Sequence, residues 1–304
     1  MSKSVLGSIS ELFQPQLPLW ACEFTSHRFV VTGVDASRRR IVNRINVPIP
    51  PGILAGALLE KNFNDADGML HLIRSAFSQA GLKGSEIGVV IPDDAARIAF
   101  LTAENLPSGQ EERETFIRWK LKKSMPFDVD TAQVAYKILG SQKNPADHGH
   151  GTDLLVALSP RAVIDEYVGL MNRASLHAGF VIPSTLAALN LLHAPAQDVL
   201  FIKVAPSCIS TTVFIKNRLK FYRRVPDTPI YDAVYPTVMY YQDKLMGTGI
   251  ERVIVCNGEG DPGPIIEELQ SKLRIPVYPL DPGNVDDTFK PALGAVDFTW
   301  VNSI

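Results

Sequence analysis

Two histidines and two aspartates crowd into one short stretch: Asp147, His148, His150 and Asp153. Imidazoles and carboxylates can hold zinc or another transition metal when a fold fixes them rigidly. Here they sit in NPADHGHGTD, a segment rich in Gly, Pro and Asn that reads as an irregular loop, so a metal centre is not expected. A second chemical candidate is the run Asn257-Gly258-Glu259-Gly260-Asp261-Pro262-Gly263. Glycines let backbone N–H groups approach phosphate oxygens, although the same composition also marks an ordinary loop. Arg38-Arg39-Arg40 reads as a solvated hairpin tip, with weak contact to anionic lipid headgroups as the alternative. Asp281 to Asp287, DPGNVDD, lacks the ligand spacing and helical flanks of an EF-hand. Cys22, Cys208 and Cys256 are isolated in apolar, strand-like contexts and read as core residues, without CxxC or Cys/His metal spacing. No G-x-S-x-G, H-E-x-x-H or Walker A pattern occurs, and no catalytic residue is assigned.

Composition bounds what must position these residues. The chain has 304 residues, enough for about two domains with real cores. Hydrophobic residues make up 46% and charged residues 20%, as in ordinary globular proteins. A formal charge of -2 gives no global electrostatic case for nucleic acid. The odd cysteine count fits a reducing compartment better than a disulfide framework. The apolar runs are strand-length, far below the ~20 residues of a spanning helix. Met1 to Pro18 carries Leu6, Ile9, Leu12 and Phe13 at helical spacing. It reads as a frayed terminus or a short amphipathic arm, not a signal peptide.

Periodicity predicts strands at Leu19–Phe24, Arg28–Val34 and Arg40–Val47. A helix is predicted over Asp67–Ala80, whose Met69, Leu72, Ile73, Ala76, Phe77 and Ala80 form one stripe closed by Gly81. Strands at Gly88–Ile91 and Leu154–Leu158 follow, then a helix after Pro160, a strand at Phe180–Ile182 and a helix at Ser184–Leu192. The second half repeats this order. Strands at Val199–Val204, Ile209–Ile215 and Leu219–Val225 form a meander. A helix at Tyr231–Leu245, a strand at Arg252–Cys256, a helix at Pro264–Leu273, a strand at Pro276–Tyr278 and a last helix at Pro291–Val296 complete it. The repetition predicts an α/β protein of two duplicated ribonuclease H-like domains, the actin-like class.

Within the first half, between the strands at Gly88–Ile91 and Leu154–Leu158, lies EERETFIRWKLKKSMPFDVDTAQVAY, Glu111 to Tyr136. Ser108 and Glu111 have capping-box spacing. Acidic residues occupy the helix start and Arg118, Lys120, Lys122 and Lys123 its end, as the helix dipole favours. Pro126 biases Met125 away from helix. The order of these features resembles the PilM family of type IV pilus assembly proteins. Pro50-Pro51-Gly52 to Leu58, Gly88-Val89-Val90-Ile91-Pro92 followed by Arg97-Ile98, Leu106-Pro107, Val234 to Gly247 and Phe289 to Val296 add to it in matching order, over roughly Leu19 to Val296.

The resemblance implies a first domain over 19–193, with an inserted subdomain at about 88–151, and a second over 194–304. It also implies an ATP site between them, where Gly-rich hairpins approach phosphates and carboxylates position Mg²⁺. The chain departs from that pattern. Its first hairpin reads Glu23-Phe24-Thr25, keeping an acid and losing the glycine. Its second reads Lys203-Val204-Ala205-Pro206, with a cation for the carboxylate and a proline without an N–H. Lys203 reads as a surface or hairpin lysine, with phosphate binding as the alternative. Gly258 and Gly260 keep an adenosine-side loop, but Val225 to Ile230 replaces the family's second-half helical insertion.

The expectation is therefore a degenerate nucleotide cleft at Glu23, Thr25, Lys203, Ala205, Gly258 and Gly260, with no cofactor and no catalysis. The protein is expected to be a cytoplasmic scaffold of a type IV pilus or related type II secretion complex, peripheral at the inner membrane through a partner. By resemblance the partner is the cytoplasmic tail of a PilN-like bitopic membrane protein, lying between the first core subdomain and the insertion. Other pilus assembly proteins and self-association are further candidates. Trp119, Met125, Pro126 and Phe127 are the expected partner contacts, against core packing within the insertion. No membrane helix follows to Ile304, which favours the separate PilM-like protein over a fused type II relative. The alternative function is an ATP-binding or ATP-hydrolysing actin-like assembly factor that holds Mg-ATP.

Overall fold

The computed structural model describes residues 18–37, 40–82, 84–143, 150–192, 197–258, 260–283 and 285–296. The arm read at the N-terminus, apart from Pro18, and the Arg38-Arg39 tip lie outside the described residues. Three antiparallel strands open the fold: β1 (Trp20–Phe24), β2 (Arg28–Val34) and β3 (Ile41–Pro48). Helix α1 (Ala66–Ala80) is capped by Asp65, which accepts from the Gly68 N–H at 2.8 Å, and ends at Gly81 in the left-handed region. Strand β4 (Glu86–Ile91) follows.

A separate three-stranded sheet then forms from β5 (Arg97–Ala103), β6 (Ala132–Lys143) and β7 (His150–Pro160), in the order β5-β7-β6. Helix α2 (Gln110–Leu121) covers one face, packing Ile117 and Leu121 against Leu154, Val156 and Leu158. Helix α3 (Arg161–Arg173) and strand β8 (His177–Pro183) bring the chain back to the first sheet, whose order is β3-β2-β1-β4-β8. Short helix α4 (Ser184–Leu189) leads to the second half. There β9 (Val199–Ala205), β10 (Cys208–Ile215) and β11 (Arg218–Pro226) form the meander. Helix α5 (Ile230–Asp243), strand β12 (Arg252–Asn257), helix α6 (Gly263–Leu273), strand β13 (Val277–Pro279) and helix α7 (Lys290–Val296) follow. The second sheet runs β11-β10-β9-β12-β13, the same arrangement as the first.

The central strands are buried on both faces, so adjacent side chains enter different cores. Cys22 and Phe24 of β1 join Met69, Ile73 and Tyr167 beneath α1 and α3. Ala21 points the other way, into a core shared by α4, α7 and the second sheet through Ala187, Ala295, Phe201 and Cys256. Leu200 and Ile202 of β9 pack beneath α5 and α6 with Val238 and Leu269. The two sheets thus sandwich α4 and α7. All three cysteines are free and buried.

Several local readings change. α2 starts one residue beyond the predicted cap. Gly109, extended at φ -75 and ψ 144, holds the N-cap without a side-chain hydrogen bond, which leaves Ser108 outside the capping box. The α-helix closes at Leu121, and a turn continues until Met125, whose N–H still reaches Leu121 O at 3.2 Å. Residues 150–153, read as loop, begin β7; pairing with β5 and β6 overrides their turn-rich composition. Strand β4 pairs with β1 and β8, so the chain leaves the first sheet after Ile91 rather than at 88. The helix predicted to Leu192 is α-helical only to Leu189, with i to i+3 bonds carrying the turn on to Leu192. The β10–β11 hairpin turns on Lys216 and Asn217, both at positive φ (46 and 68).

Candidate functional site

The carboxyl ends of the parallel strands in both sheets face one cleft, where α/β sheets usually present ligands. Glu23 stands near the end of β1, with Phe24 beside it turned into the aromatic cluster of Phe29, Phe63 and Tyr167. That anchoring sends the Glu23 carboxyl to the cleft. Asp93 follows β4 in a 3-10 turn, and Ser184 and Thr185 begin α4 after β8. Lys203 comes from β9 and Gly258 from the turn after β12.

These groups are deeply buried: Glu23 is 3%, Asp93 4% and Lys203 2% exposed. The Ser184 hydroxyl donates to Glu23 Oε1 at 2.6 Å. Asp93 accepts from the Thr185 N–H at 2.9 Å and its hydroxyl at 2.8 Å. Burial pushes the Glu23 carboxyl up to about 7, while the Lys203 ammonium and the Ser184 bond pull it back. Burial also works against the Lys203 charge, but the Glu23 and Asp93 carboxylates and the neighbouring thiols hold its value above the usual lysine range. Lys203 is therefore a buried cation and not the surface or hairpin lysine expected. β9 is a central strand, and Lys203 lies on its cleft side.

Lys203 also fills space. Its Nζ donates to Val204 O at 3.3 Å. A Cβ added to Gly258 would lie 2.9 Å from that Nζ and 3.2 Å from Val204 O, so the glycine-rich loop packs closely on the lysine. The cavity between Glu23, Thr25, Asp93, Lys203, Ala205 and Gly258 measures about 40 Å³. That is room for a water or two, against the several hundred Å³ of a nucleotide-sized pocket. Thr25 closes the first hairpin, taking the Arg28 N–H at 3.0 Å. Gly260 lies outside this cavity, at φ 127 in the loop that Asn257 ties by donating to Asp261 O at 3.0 Å.

The halves are joined across the cleft. Arg28 of β2 donates to Gly258 O and reaches Thr288 Oγ1 at 3.5 Å. Asp94 of the first half pairs with Arg224 and accepts from Ser207, both of the second. Sequence reading brought Glu23, Thr25, Lys203, Ala205 and Gly258 to one place and missed Asp93, Asp94, Ser184 and Thr185. The available signal was an acidic pair just past the apolar run at 87–91, at the carboxyl end of a strand.

The predicted partner residues lie elsewhere. Trp119 projects from α2 opposite its buried side and is 66% exposed, with the Lys120 ammonium 5.2 Å from its ring. Pro126 is exposed, while Met125 and Phe127 are half-buried against the core under α2. None of the four lines the apolar groove between the three-stranded sheet and the first sheet. That groove is formed by Ile91, Gln133, Ala135, Ala157, Val181 and Pro183 among others. Strict alternation places Ala135 and Ala157 on the face away from α2. β6 and β8 are edge strands of their sheets, so both flanks of the groove end in strand edges.

Asp147 and His148 lie outside the described residues. Asp153 sits in β7, where it accepts from the Thr102 hydroxyl at 2.8 Å and pairs with Lys220 at 2.9 Å. Among the described residues no group of three His, Cys, Asp or Glu side chains could hold a metal ion, and no helix is long and apolar enough to cross a membrane.

The chain matches no protein-family model and no curated protein sequence. Among solved structures it is similar to a chain of a PilM–PilN type IV pilus biogenesis complex. The two align with a TM-score of 0.74 at 14% identity, over 93% of this chain and 98% of that one. It is also similar to a Bacteroides thetaiotaomicron protein with an actin-like ATPase fold, at TM-score 0.51 and 12% identity over 89% and 93% of the two chains. The ethanolamine utilization protein EutJ from Carboxydothermus hydrogenoformans gives TM-score 0.51 and 10% identity over 95% and 93%. The chain has the actin-like fold, in an arrangement matching that of the pilus-complex chain over nearly its whole length.

Proposed function

We propose that this protein is a scaffold of a type IV pilus, or related type II secretion, assembly complex. It acts in the cytoplasm, peripheral at the inner membrane, by holding the cytoplasmic tail of a PilN-like membrane protein. The observation that carries this reading is the likeness to a chain of the PilM–PilN complex along 93% of this chain. The apolar groove supports it, because an extended tail can seat side chains on Ala135 and Ala157 while pairing with the β6 or β8 edge. The tail peptide should bind the wild type, and Ala135→Glu should weaken it at least tenfold by putting a charge in the groove. Ala135 is exposed, so the fold should tolerate the change. Trp119→Ala, titrated beside it by fluorescence anisotropy, should leave affinity unchanged; an equal loss would return the contact to the end of α2.

In this reading the cleft is a degenerate nucleotide site and the protein is not an ATPase. Lys203 stands where a phosphate or its metal ion would need room, and Arg28, Asp94 and Arg224 tie the halves across it. Calorimetry with ATP and Mg²⁺ should give no binding tighter than roughly millimolar, about -4 kcal/mol. A micromolar constant would replace this half of the proposal with the ATP-binding assembly factor.

A further inference from the structure

Strand β11 is an edge strand of the second sheet, and two of its cations reach across to the first half. Lys220 pairs with Asp153 at 2.9 Å, and the two side chains are 14% and 8% exposed. Arg224 pairs with Asp94, at 18% and 25%. Both cations turn toward the first half, Lys220 from the β-bulge that interrupts the β10–β11 register and Arg224 from the regular ladder beyond it. Tyr222 lies between them along β11, fixed by a 3.1 Å hydrogen bond to Ser210. The targets are informative. Asp153 belongs to β7, the middle strand of the three-stranded sheet, and is steadied there by Thr102 of β5. Asp94 belongs to the 3-10 turn by which the chain enters that sheet.

The three-stranded sheet is covalently joined to the first half, yet these contacts fix it from the second. Its opposite flank borders the groove through Gln133, Ala135 and Ala157, across from Val181 and Pro183 of β8. The width of that groove depends on where the three-stranded sheet sits relative to the first sheet.

We infer that Lys220 and Arg224 are positioning residues for the groove: the two ion pairs from β11 hold the three-stranded sheet at one setting, and so hold the groove at one width. The inference rests on the groove being the partner site. It adds that the second half, which does not line the groove, governs its shape. Both pairs are largely shielded from water, so they act as a fixed strap and not as screened surface contacts. Removing either cation takes away the attraction that holds its aspartate against β11, which frees the sheet to move away from β11.

The test is hydrogen exchange on the full chain, read segment by segment, together with titration of the tail peptide. Lys220→Met should speed exchange at least tenfold in β5 and β7 while leaving β1 and β4 unchanged, and should weaken the peptide at least tenfold. Arg224→Gln should act in the same direction. The exchanged pair Lys220→Asp with Asp153→Lys should restore both readouts, which a merely local packing defect would not allow. Unchanged exchange in both single variants, uniform loosening of the whole chain, or no recovery in the exchanged pair overturns the strap. If wild type binds no tail peptide, the partner reading fails, while the exchange data still decide whether the strap exists. Exchange that follows the expectation beside unaltered peptide affinity overturns the link to the groove.

Discussion

Replacing Lys203 by methionine will destabilise the fold by about 3 to 5 kcal/mol at pH 8 and by clearly less at pH 5. The reason is the company it keeps. Glu23 and Asp93 are both buried in the cleft, and Lys203 is the buried cation that opposes their charge. The pH dependence follows from Glu23, whose folded value of about 7 lies above its ordinary 4.5. A carboxyl raised in this way holds its proton more tightly folded than unfolded. Its favourable contribution is complete below about pH 4.5 and is lost as the pH rises through about 7. Taking away Lys203 raises the Glu23 value further, so the variant suffers most where the carboxyl must ionise. At pH 5 Glu23 is protonated and the lost cation matters less. Urea unfolding at the two pH values measures the difference. The double variant Glu23→Gln, Lys203→Met should regain much of the loss at pH 8, because neutral groups of similar size replace the charged pair. A cost independent of pH, or no gain in the double variant, would remove the electrostatic account of the cleft.

Gly294→Ala should cost about 3 kcal/mol, the upper end for overpacking, and lower the melting temperature by about 5 to 10 °C. Gly294 lies in α7, which packs between the sheets against α4. A Cβ there would press far inside van der Waals contact with the Ala187 carbonyl and within 2.8 Å of its carbon. The obstacle is backbone, which cannot rotate away as a side chain can. The same approach lets Asn190 Nδ2 donate to Gly294 O at 2.9 Å, so one methyl group disturbs both packing and a buried hydrogen bond. Gly169→Ala in α3 is the control. Nothing lies within 4 Å of its added Cβ, and it should raise stability by up to about 1 kcal/mol. A melting curve unchanged by Gly294→Ala would mean that α4 and α7 can slide apart freely.

The fold was largely written in local pattern. The α1 stripe, its Gly81 stop and the doubled order of meander, helix, strand and helix all have short-range causes: side-chain period, φ preference and turn chemistry. Where reading failed, a distant contact had overridden a local signal. Residues 150–153 look like loop by composition and are strand because β5 and β6 lie on either side. The capping box at Ser108 fails because one extended glycine shifts the start of α2, a change too small for periodicity to register.

The amino-acid sequence by itself determined the strand and helix order, the burial of the cysteines, and the presence of an acid at 23 and a cation at 203 where the resemblance leads one to look for glycine hairpins. Only the tertiary structure decided what these residues do. Lys203 became a buried partner of two carboxylates, Asp93 and Asp94 joined the cleft from another turn, and Trp119 came to stand clear of the groove. The physical reason is range. Backbone preference and hydrophobic period act over a few residues and can be read along the chain. The charge of a buried group depends on neighbours brought from other strands, and here the ion pairs link positions 94 with 224 and 153 with 220, which no local pattern connects.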